Sequence, residues 1–290
     1  MLWISDEWKD YEVLDASDGE RLERWGKYIL VRPDPQVIWS TPHDAKEWKR
    51  YDARYVRSNT GGGHWSDHKL PERWQIRYKD YLTFNVKPMN FKHTGVFPEQ
   101  AANWDFIRDK VAEASAHRPV RILNLFAYSG GATLAAAAGG AEVYHVDASK
   151  GMVAWAKENA QASGLADKPI HWIVDDCGKF IQREIRRGRR YDGIIMDPPS
   201  YGRGPSGEIW KMETSFYPFL LETAKLLTDN PLFVIINSYT TGLAPSAVSY
   251  AADVVFGKDH GGSTAAGELG LPVKESGLVL PCGATGRWTP

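Results

Sequence analysis

Two stretches of the chain carry residues whose types and spacing suit the binding of a nucleoside. An apolar β-type run over residues 120–125 leads into small residues that include Gly130 and Gly131, and a helical run follows. Glycine has no Cβ, so the turn can be tight and a ligand can approach its backbone closely. A second apolar strand ends on Asp147, at about the distance at which a βαβ nucleotide-binding unit keeps its ribose-binding acid. The pattern predicts a nucleoside site.

The sequence of the turn narrows the choice of nucleoside. A dinucleotide-binding turn would read Gly-x-Gly-x-x-Gly, with the helix N-terminus facing a pyrophosphate. This turn reads Phe126-Ala-Tyr-Ser-Gly-Gly-Ala132 instead, which disfavours a pyrophosphate ligand.

Four motifs occur in an order that resembles a known family. They are Asn124-Leu-Phe-Ala-Tyr-Ser-Gly-Gly131, Asp147-Ala-Ser149, Val174-Asp-Asp176 and Asp197-Pro-Pro-Ser-Tyr201. Together they resemble the class I S-adenosylmethionine-dependent methyltransferases, and within these the large-subunit ribosomal RNA methyltransferases I and K. The resemblance runs from about residue 74 to residue 243. It implies S-adenosylmethionine as cofactor and RNA, ribosomal RNA in particular, as substrate.

The same resemblance implies a cofactor site at the ends of the first strands. Asp147 would accept the two ribose hydroxyls, and Asp176 the adenine amino group. Helix capping is the alternative role for Asp175 and Asp176, and the two roles can be divided between them. The implied cofactor-binding residues are Asn124, Phe126, Ala127, Gly130, Gly131, Asp147, Ala148, Ser149, Asp175, Asp176, Cys177 (through its amide) and Asp197.

A segment further upstream, Thr94-Gly-Val-Phe-Pro-Glu-Gln100, is similar to one that lies beside the cofactor in related methyltransferases. The similarity implies that Lys92, Phe97 and Gln100 line the cofactor or substrate pocket. The alternative is a helix start with Pro98 in its first turn and a buried Phe97. We favour the pocket.

The last motif supplies the candidate catalytic residues Asp197, Pro198, Pro199 and Tyr201. Methyl transfer from a sulfonium is an in-line displacement, so the enzyme's main task is to position the acceptor in a dry pocket. Carbonyls next to proline are rigid and can accept hydrogen bonds from an acceptor nitrogen. Tyr201 can stack on a planar base, or else pack on the sheet edge. The loop Gly202-Arg-Gly-Pro205 suits a phosphate.

The two cysteines, Cys177 and Cys282, bear on the reaction type. Methylation of cytosine at carbon 5 requires a thiolate that adds to the ring. Resembling cytosine-modifying enzymes place this cysteine at the end of the fourth or fifth strand, where this chain has Ser200 and Ser238 in cysteine-free segments. Transfer to nitrogen is therefore favoured, with Cys282 as a buried structural thiol. Two cysteines also make no metal-ligand set.

Apolar runs and turn signals predict the elements that position these residues. Strands are expected at 120–126, 142–147, 170–174, 192–197 and 231–237, and helices at 131–139, 149–163, 177–187, 213–228 and 245–254. This alternation predicts an α/β fold with a mostly parallel sheet and helices on both faces. Residues 271–274 and 278–280 are two further strands, which under the resemblance complete a Rossmann-like seven-stranded sheet with an antiparallel last strand. Residues 257–268 are predicted to be a mobile loop.

The N-terminal part reads as a small β-rich domain over residues 1–90, with substrate recognition as its expected role, before a methyltransferase domain over residues 91–290. Short β-type runs occur at 28–31 and 37–39, a hairpin is predicted over 73–87, and a helix over 99–114. Six tryptophans are scattered through the first 72 residues. Packing of a β layer is favoured for them over stacking on bases.

Composition limits the remaining choices. The chain has 290 residues and a net charge of −1, which counts against a large RNA-binding surface. The basic run Arg183, Arg186, Arg187, Arg189 and Arg190 is either a solvated helix end or an RNA contact. No apolar run could span a bilayer and no secretory segment is recognisable, so we expect a cytoplasmic protein. A methyltransferase for a protein or small molecule, or a non-catalytic nucleotide-binding module, are the alternatives; monomer and homodimer are both open.

Overall fold

A computed structural model describes residues 1–41, 46–58, 62–66, 69–203 and 209–290. The chain forms two compact units. The large unit contains Met1–Trp3, Ala102–Leu269 and Gly283–Pro290, and the small unit contains Ile4–Ala101 and Gly270–Cys282. The predicted division at residue 90 stays a prediction, although residues 91–101 and 270–282 group with the small unit.

The described residues form the following elements. In chain order the strands are β1 (Leu2–Ile4), β2 (Tyr11–Ser17), β3 (Glu20–Trp25), β4 (Tyr28–Pro33), β5 (Ala53–Arg57), β6 (Gly63–Ser66), β7 (Trp74–Tyr78), β8 (Leu82–Val86), β9 (Arg121–Leu125), β10 (Glu142–Asp147), β11 (Ile170–Val174), β12 (Gly193–Met196), β13 (Tyr201–Arg203), β14 (Ile209–Lys211), β15 (Phe233–Ser238), β16 (Ser263–Pro272) and β17 (Val279–Thr289). The helices are α1 (Ala101–Ser115), α2 (Gly131–Ala138), α3 (Lys150–Ala162), α4 (Cys177–Arg186), α5 (Met212–Ala224) and α6 (Pro245–His260).

The main sheet has the strand order β1-β16-β17-β15-β12-β9-β10-β11. Five neighbouring strands of this sheet, β15, β12, β9, β10 and β11, pair in parallel. Strand β17 runs antiparallel to β15. Strands β12 and β15 are buried along their whole length, as expected for parallel strands covered on both faces. The predicted α/β sheet with its antiparallel closing strand is confirmed, and β1 adds an eighth strand at the edge.

The prediction of a loop over residues 257–268 is wrong. Helix α6 continues to His260, and β16 begins at Ser263. Gly261 and Gly262 have φ angles of 67° and 73°, so they make the tight turn between the two elements. The segment after them lacks a strand-like alternation, but pairing within the sheet overrides that weak local preference.

The small unit is built on the five-stranded sheet β2-β3-β4-β5-β6 and the antiparallel hairpin β7–β8. The predicted hairpin over 73–87 and the strand over 28–31 are confirmed; the predicted strand over 37–39 is wrong. Those residues follow a turn in which Val37 N donates to Asp34 O, and Trp39 Nε1 donates to Ala16 O. Trp25 is fully buried, in line with tryptophans that pack the β layer.

An ionic cluster lies inside the small unit around Glu23. Its carboxylate accepts hydrogen bonds from Arg32 at 2.5 and 2.7 Å and from the Tyr11 hydroxyl at 2.6 Å, and Arg21 lies 3.3 Å away. Burial works to raise the pKa of Glu23, but the charges of Arg21 and Arg32 outweigh it and hold the pKa at about 2. Glu23 is therefore ionised in the folded protein, and its charge stabilises two buried arginines.

No helix in the described part of the chain is long and apolar enough to cross a membrane.

Candidate active site

The segment between β9 and α2 has an unusual backbone. Phe126 and Tyr128 adopt left-handed φ angles of 55° and 50°, and Gly130 has a φ of 93°. Such conformations are disfavoured for aromatic residues and persist only where the surroundings enforce them. Phe126 N donates to Cys177 Sγ at 3.3 Å, and Tyr128 N donates to Asp147 Oδ2 at 2.8 Å. We call residues 126–130 the donor loop; contacts from β10 and α4 hold it in shape.

Asp147 has both of its carboxylate oxygens engaged at the edge of this loop. Oδ2 accepts from Tyr128 N, and Oδ1 accepts from Ser149 N at 2.8 Å. Burial raises the pKa of Asp147, while the two amide hydrogen bonds oppose that rise. Each carboxylate oxygen has two lone pairs, so each keeps one for a ribose hydroxyl. Ala148 and Ser149 follow directly and are exposed. This arrangement fits the predicted adenosine site.

The two glycines of the turn are required by the protein's own packing. A Cβ on Gly131 would lie 2.6 Å from the Trp104 ring, and one on Gly130 would lie 3.0 Å from Ala156 Cβ. The protein's own packing thus accounts for the absence of side chains at both positions, and close approach of a ligand to this backbone stays a prediction.

Asn124 belongs to a buried polar network. Its Nδ2 donates to Thr133 Oγ1 at 2.9 Å, and that hydroxyl lies 2.9 Å from His145 Nδ1. Burial lowers the pKa of His145 to about 3, so the ring is neutral. The network ties β9, α2 and β10 together below the donor loop. A direct cofactor contact of Asn124 stays a prediction, and Thr133 and His145 were not predicted.

The two carboxylates after β11, Asp175 and Asp176, have different partners in the structure. Asp176 Oδ1 accepts from Lys179 N at 2.9 Å and caps α4, while Asp175 forms an ion pair with Arg183. Because Asp176 has a second carboxylate oxygen, capping of α4 is compatible with the predicted contact between Asp176 and the adenine. Cys177 is buried, and burial raises the pKa of its thiol.

The Asp-Pro-Pro-Ser-Tyr segment follows β12 beside the end of β9. Asp197 N lies 3.4 Å from Leu125 O, and Ser200 Oγ lies 2.8 Å from Thr240 Oγ1. Tyr201 starts the β13–β14 hairpin opposite Lys211, and 52% of its surface is exposed. A stacking surface is thus present. Of the predicted phosphate loop, Gly204 and Pro205 lie outside the described residues.

A residue that the sequence analysis missed connects this segment to the donor loop. Trp210 Nε1 donates to Pro199 O at 2.6 Å, and its ring centre lies 5.4 Å from that of Phe126. The Phe219 ring, 5.3 Å away, supports it from α5. In the sequence, Gly204-Pro-Ser-Gly207 is typical of a turn, which is a signal for a hairpin but not for the contact between Trp210 and Pro199.

Phe97 and Gln100 belong to the small unit. Pro98 occupies the first position of a short 3₁₀ turn, and Gln100 N donates to Phe97 O at 3.1 Å. This is the helix-start arrangement, which leads into α1. Pocket-lining roles for Lys92, Phe97 and Gln100 stay predictions. Within the described ranges, no cluster of three or more His, Cys, Asp or Glu side chains could hold a metal ion.

Comparison with known proteins shows the family to which the chain belongs. A family model described as S-adenosylmethionine-dependent methyltransferase matches residues 39–227. The chain belongs to this family. The crystal structure of an S-adenosylmethionine-dependent methyltransferase from Agrobacterium tumefaciens is 36% identical, with a TM-score of 0.93 over 100% of this chain and 93% of that one. This methyltransferase therefore uses S-adenosylmethionine as its methyl donor.

Curated relatives of the methyltransferase match only part of it. Ribosomal RNA large subunit methyltransferase K from Neisseria meningitidis is 34% identical over 145 residues, which are 49% of this chain and 40% of that protein. Methyltransferase K/L from Shewanella frigidimarina is 29% identical over 171 residues, which are 58% of this chain and 22% of that protein. A methyltransferase structure from Streptococcus mutans, 19% identical with a TM-score of 0.70, shares the fold over 97% of this chain and 76% of that one.

Proposed function

We propose that this methyltransferase modifies a nitrogen of an RNA base, with large-subunit ribosomal RNA as its substrate. The observation that carries the proposal is the Asp197–Tyr201 segment, which follows β12 next to the end of β9 and exposes an aromatic ring. The names of the curated relatives point to the same substrate class. S-adenosylmethionine, when bound, supplies an electrophilic methyl group; the chain's own residues position both partners.

The acceptor would be held by the first part of the segment. Trp210 donates to the carbonyl of Pro199, and the Pro198 carbonyl and the Asp197 carboxylate are the acceptors next to it along the chain. These can hold the N–H groups of an exocyclic amine while its lone pair faces the methyl group. Tyr201 then stacks on the base, which is the usual way for proteins to hold an unpaired nucleotide.

The cysteines support nitrogen over cytosine carbon 5. Cys177 accepts a hydrogen bond from the donor loop, and burial raises its pKa, so it is a poor nucleophile. Burial also raises the pKa of Cys282, with Glu99 adding to the effect. The strand ends at β12 and β15, where a cytosine-modifying thiolate is expected, carry Ser200 and Ser238.

Ion pairs within the basic run over residues 183–190 favour a substrate that binds elsewhere. Arg183 pairs with Asp175, Arg187 and Arg189 pair with Glu184, and Arg189 also donates to the Tyr144 hydroxyl at 2.8 Å. Much of this run therefore has a structural role. Substrate recognition by residues 1–90 and a cytoplasmic location remain part of the proposal, while a protein or small-molecule substrate is the second candidate, favoured by the net charge of −1.

Transfer of labelled methyl groups tests the proposal. Total RNA and total protein are incubated separately with the enzyme and labelled S-adenosylmethionine, and labelled RNA is digested to nucleosides. We expect a base methylated on nitrogen. Labelling of protein alone would refute the RNA assignment, and 5-methylcytidine would refute the nitrogen assignment.

A covalent trap separates the two chemistries. RNA that contains 5-fluorocytidine traps a thiolate that attacks the ring, so we expect no adduct with the wild type. Cys282→Ala should keep near-normal turnover, because loss of a covalent catalytic group costs about a hundredfold or more. An inactive but folded Cys282→Ala variant that still binds cofactor would contradict the nitrogen mechanism.

A further inference from the structure

A groove on the small unit lies outside the site described above. It has a volume of about 410 Å³ and is lined by side chains of β3–β6 and of the segment before β5. Its lining includes Glu20, Pro33, Arg54, Tyr55, Arg57 and Ser66. Its size would admit a phosphate group together with part of the attached sugar.

The two arginines that line the groove differ in whether their charge is paired with a carboxylate. Arg54 donates to both oxygens of Glu20 at 3.1 and 2.6 Å, so its charge is compensated. Arg57 ends β5 with an exposed side chain that has no hydrogen-bond or ion-pair partner among the described residues. A guanidinium presents several donors in a planar fork that matches two oxygens of a phosphate. Arg57 is therefore a free cation at the edge of a cavity.

Several cations lie near the groove. Burial lowers the pKa of Lys92 and the charges of Arg21, Arg32 and Arg57 lower it further, against the opposing effect of Asp34, to about 8. The Lys92 ammonium donates to the carbonyl of Pro33, which itself lines the groove. The pKa of the neighbouring His93 falls to about 4, through burial and then through the charges of Arg32, Lys92 and Arg21. The charges of Arg21, Arg32 and Arg57 act on Lys92 in the same direction, and a group of cations of this kind favours a bound anion.

We propose that this groove binds a phosphodiester of the RNA substrate, with Arg57 as the residue that contacts the phosphate. The proposal rests on the proposed function, since it assigns a backbone contact to the same substrate. Such contacts fix the register of a nucleic acid on a protein without reading its sequence. One such contact is compatible with the near-neutral net charge of the chain.

The test compares RNA binding by the full-length wild type with that of Arg57→Gln. A fluorescent single-stranded RNA is titrated at several salt concentrations. Loss of one phosphate contact should weaken binding at low salt by about fivefold or more, and should reduce the slope of log affinity against log salt by about 0.7. Arg57→Lys should recover much of the slope. The matched control is Arg77→Gln, which removes an exposed arginine of the same unit that pairs with Asp10 outside the groove.

An assay of methyl transfer to RNA distinguishes failure of the groove proposal from failure of the proposed function. For Arg57→Gln we expect a raised KM for RNA with kcat and the KM for S-adenosylmethionine unchanged. If Arg57→Gln matches the wild type in affinity and salt slope while RNA is still methylated, the groove proposal alone is overturned. If the wild type neither binds nor methylates RNA, both the groove proposal and the proposed function are overturned.

Discussion

Replacing Trp210 with phenylalanine tests whether the indole positions the acceptor segment. The change removes the donor to Pro199 O, which lies 2.6 Å from Nε1, and keeps an aromatic ring between Phe126 and Phe219. A neutral hydrogen bond of this kind contributes about 0.5–1.5 kcal/mol. If the contact matters mainly in the transition state, kcat falls about two- to tenfold, because about 1.4 kcal/mol corresponds to a factor of ten. The KM for S-adenosylmethionine should stay within about twofold of wild type, because the packing against the donor loop remains.

Initial rates of methyl transfer at saturating RNA and cofactor measure this effect, with thermal unfolding as a check on stability. The matched control is Trp39→Phe, which removes an indole donor to the Ala16 carbonyl at 2.9 Å in the small unit. The control should lose similar stability and keep kcat. Trp210→Ala also removes the ring, so it should weaken cofactor binding as well as turnover. A Trp210→Phe enzyme with unchanged kcat, or one whose only defect is stability equal to that of the control, would refute the positioning role.

Three further outcomes follow from the structure. Asp147→Ala should weaken binding of S-adenosylmethionine by about 1.5–3 kcal/mol in calorimetry, since it removes hydrogen bonds to a charged group, and an unchanged affinity would place the ribose elsewhere. At pH 8 a thiol reagent should modify Cys177 in urea but not in the native protein, because its side chain is buried and burial raises its pKa; a fast-reacting Cys177 in the native protein would contradict this. The pKa of Glu23 is about 2 when folded and 4.5 ordinarily, so its stabilising effect is complete above pH 4.5 and disappears as the pH falls towards 2. The difference in unfolding free energy between wild type and Glu23→Gln should therefore shrink over that interval, and a constant difference would show that Glu23 is not ionised when folded.

Sequence-based prediction succeeded where a single strand or turn carries its own signal. Strands β9, β10, β11, β12 and β15 are short apolar runs with polar or small residues at their ends, so both their positions and Asp147 at a strand end could be predicted. Trp210 could not, because its contact with Pro199 depends on a hairpin that brings together residues 11 positions apart. The same limit applies to Asn124, whose partners Thr133 and His145 lie on other elements. At residues 257–268, pairing within the sheet produced a strand that the local sequence does not favour.

The position of the two last strands also determines when the protein can fold during synthesis. Strand β17 pairs with β15, and Glu268 N donates to the carbonyl of Met1, so residues near both ends of the chain complete the large unit. The small unit likewise needs the C-terminal segment, since Lys274 N donates to Val13 O. At about 5–20 residues per second, a ribosome needs about 15–60 s for 290 residues. The edge of β2 lacks its C-terminal partner from the synthesis of β2 until residues 273–275 follow, and the edge of β15 lacks β17 from residue 238 until residues 279–289 follow. Binding of a chaperone to the nascent chain during this interval, followed by release once residues 263–289 are made, is the folding behaviour that this topology favours.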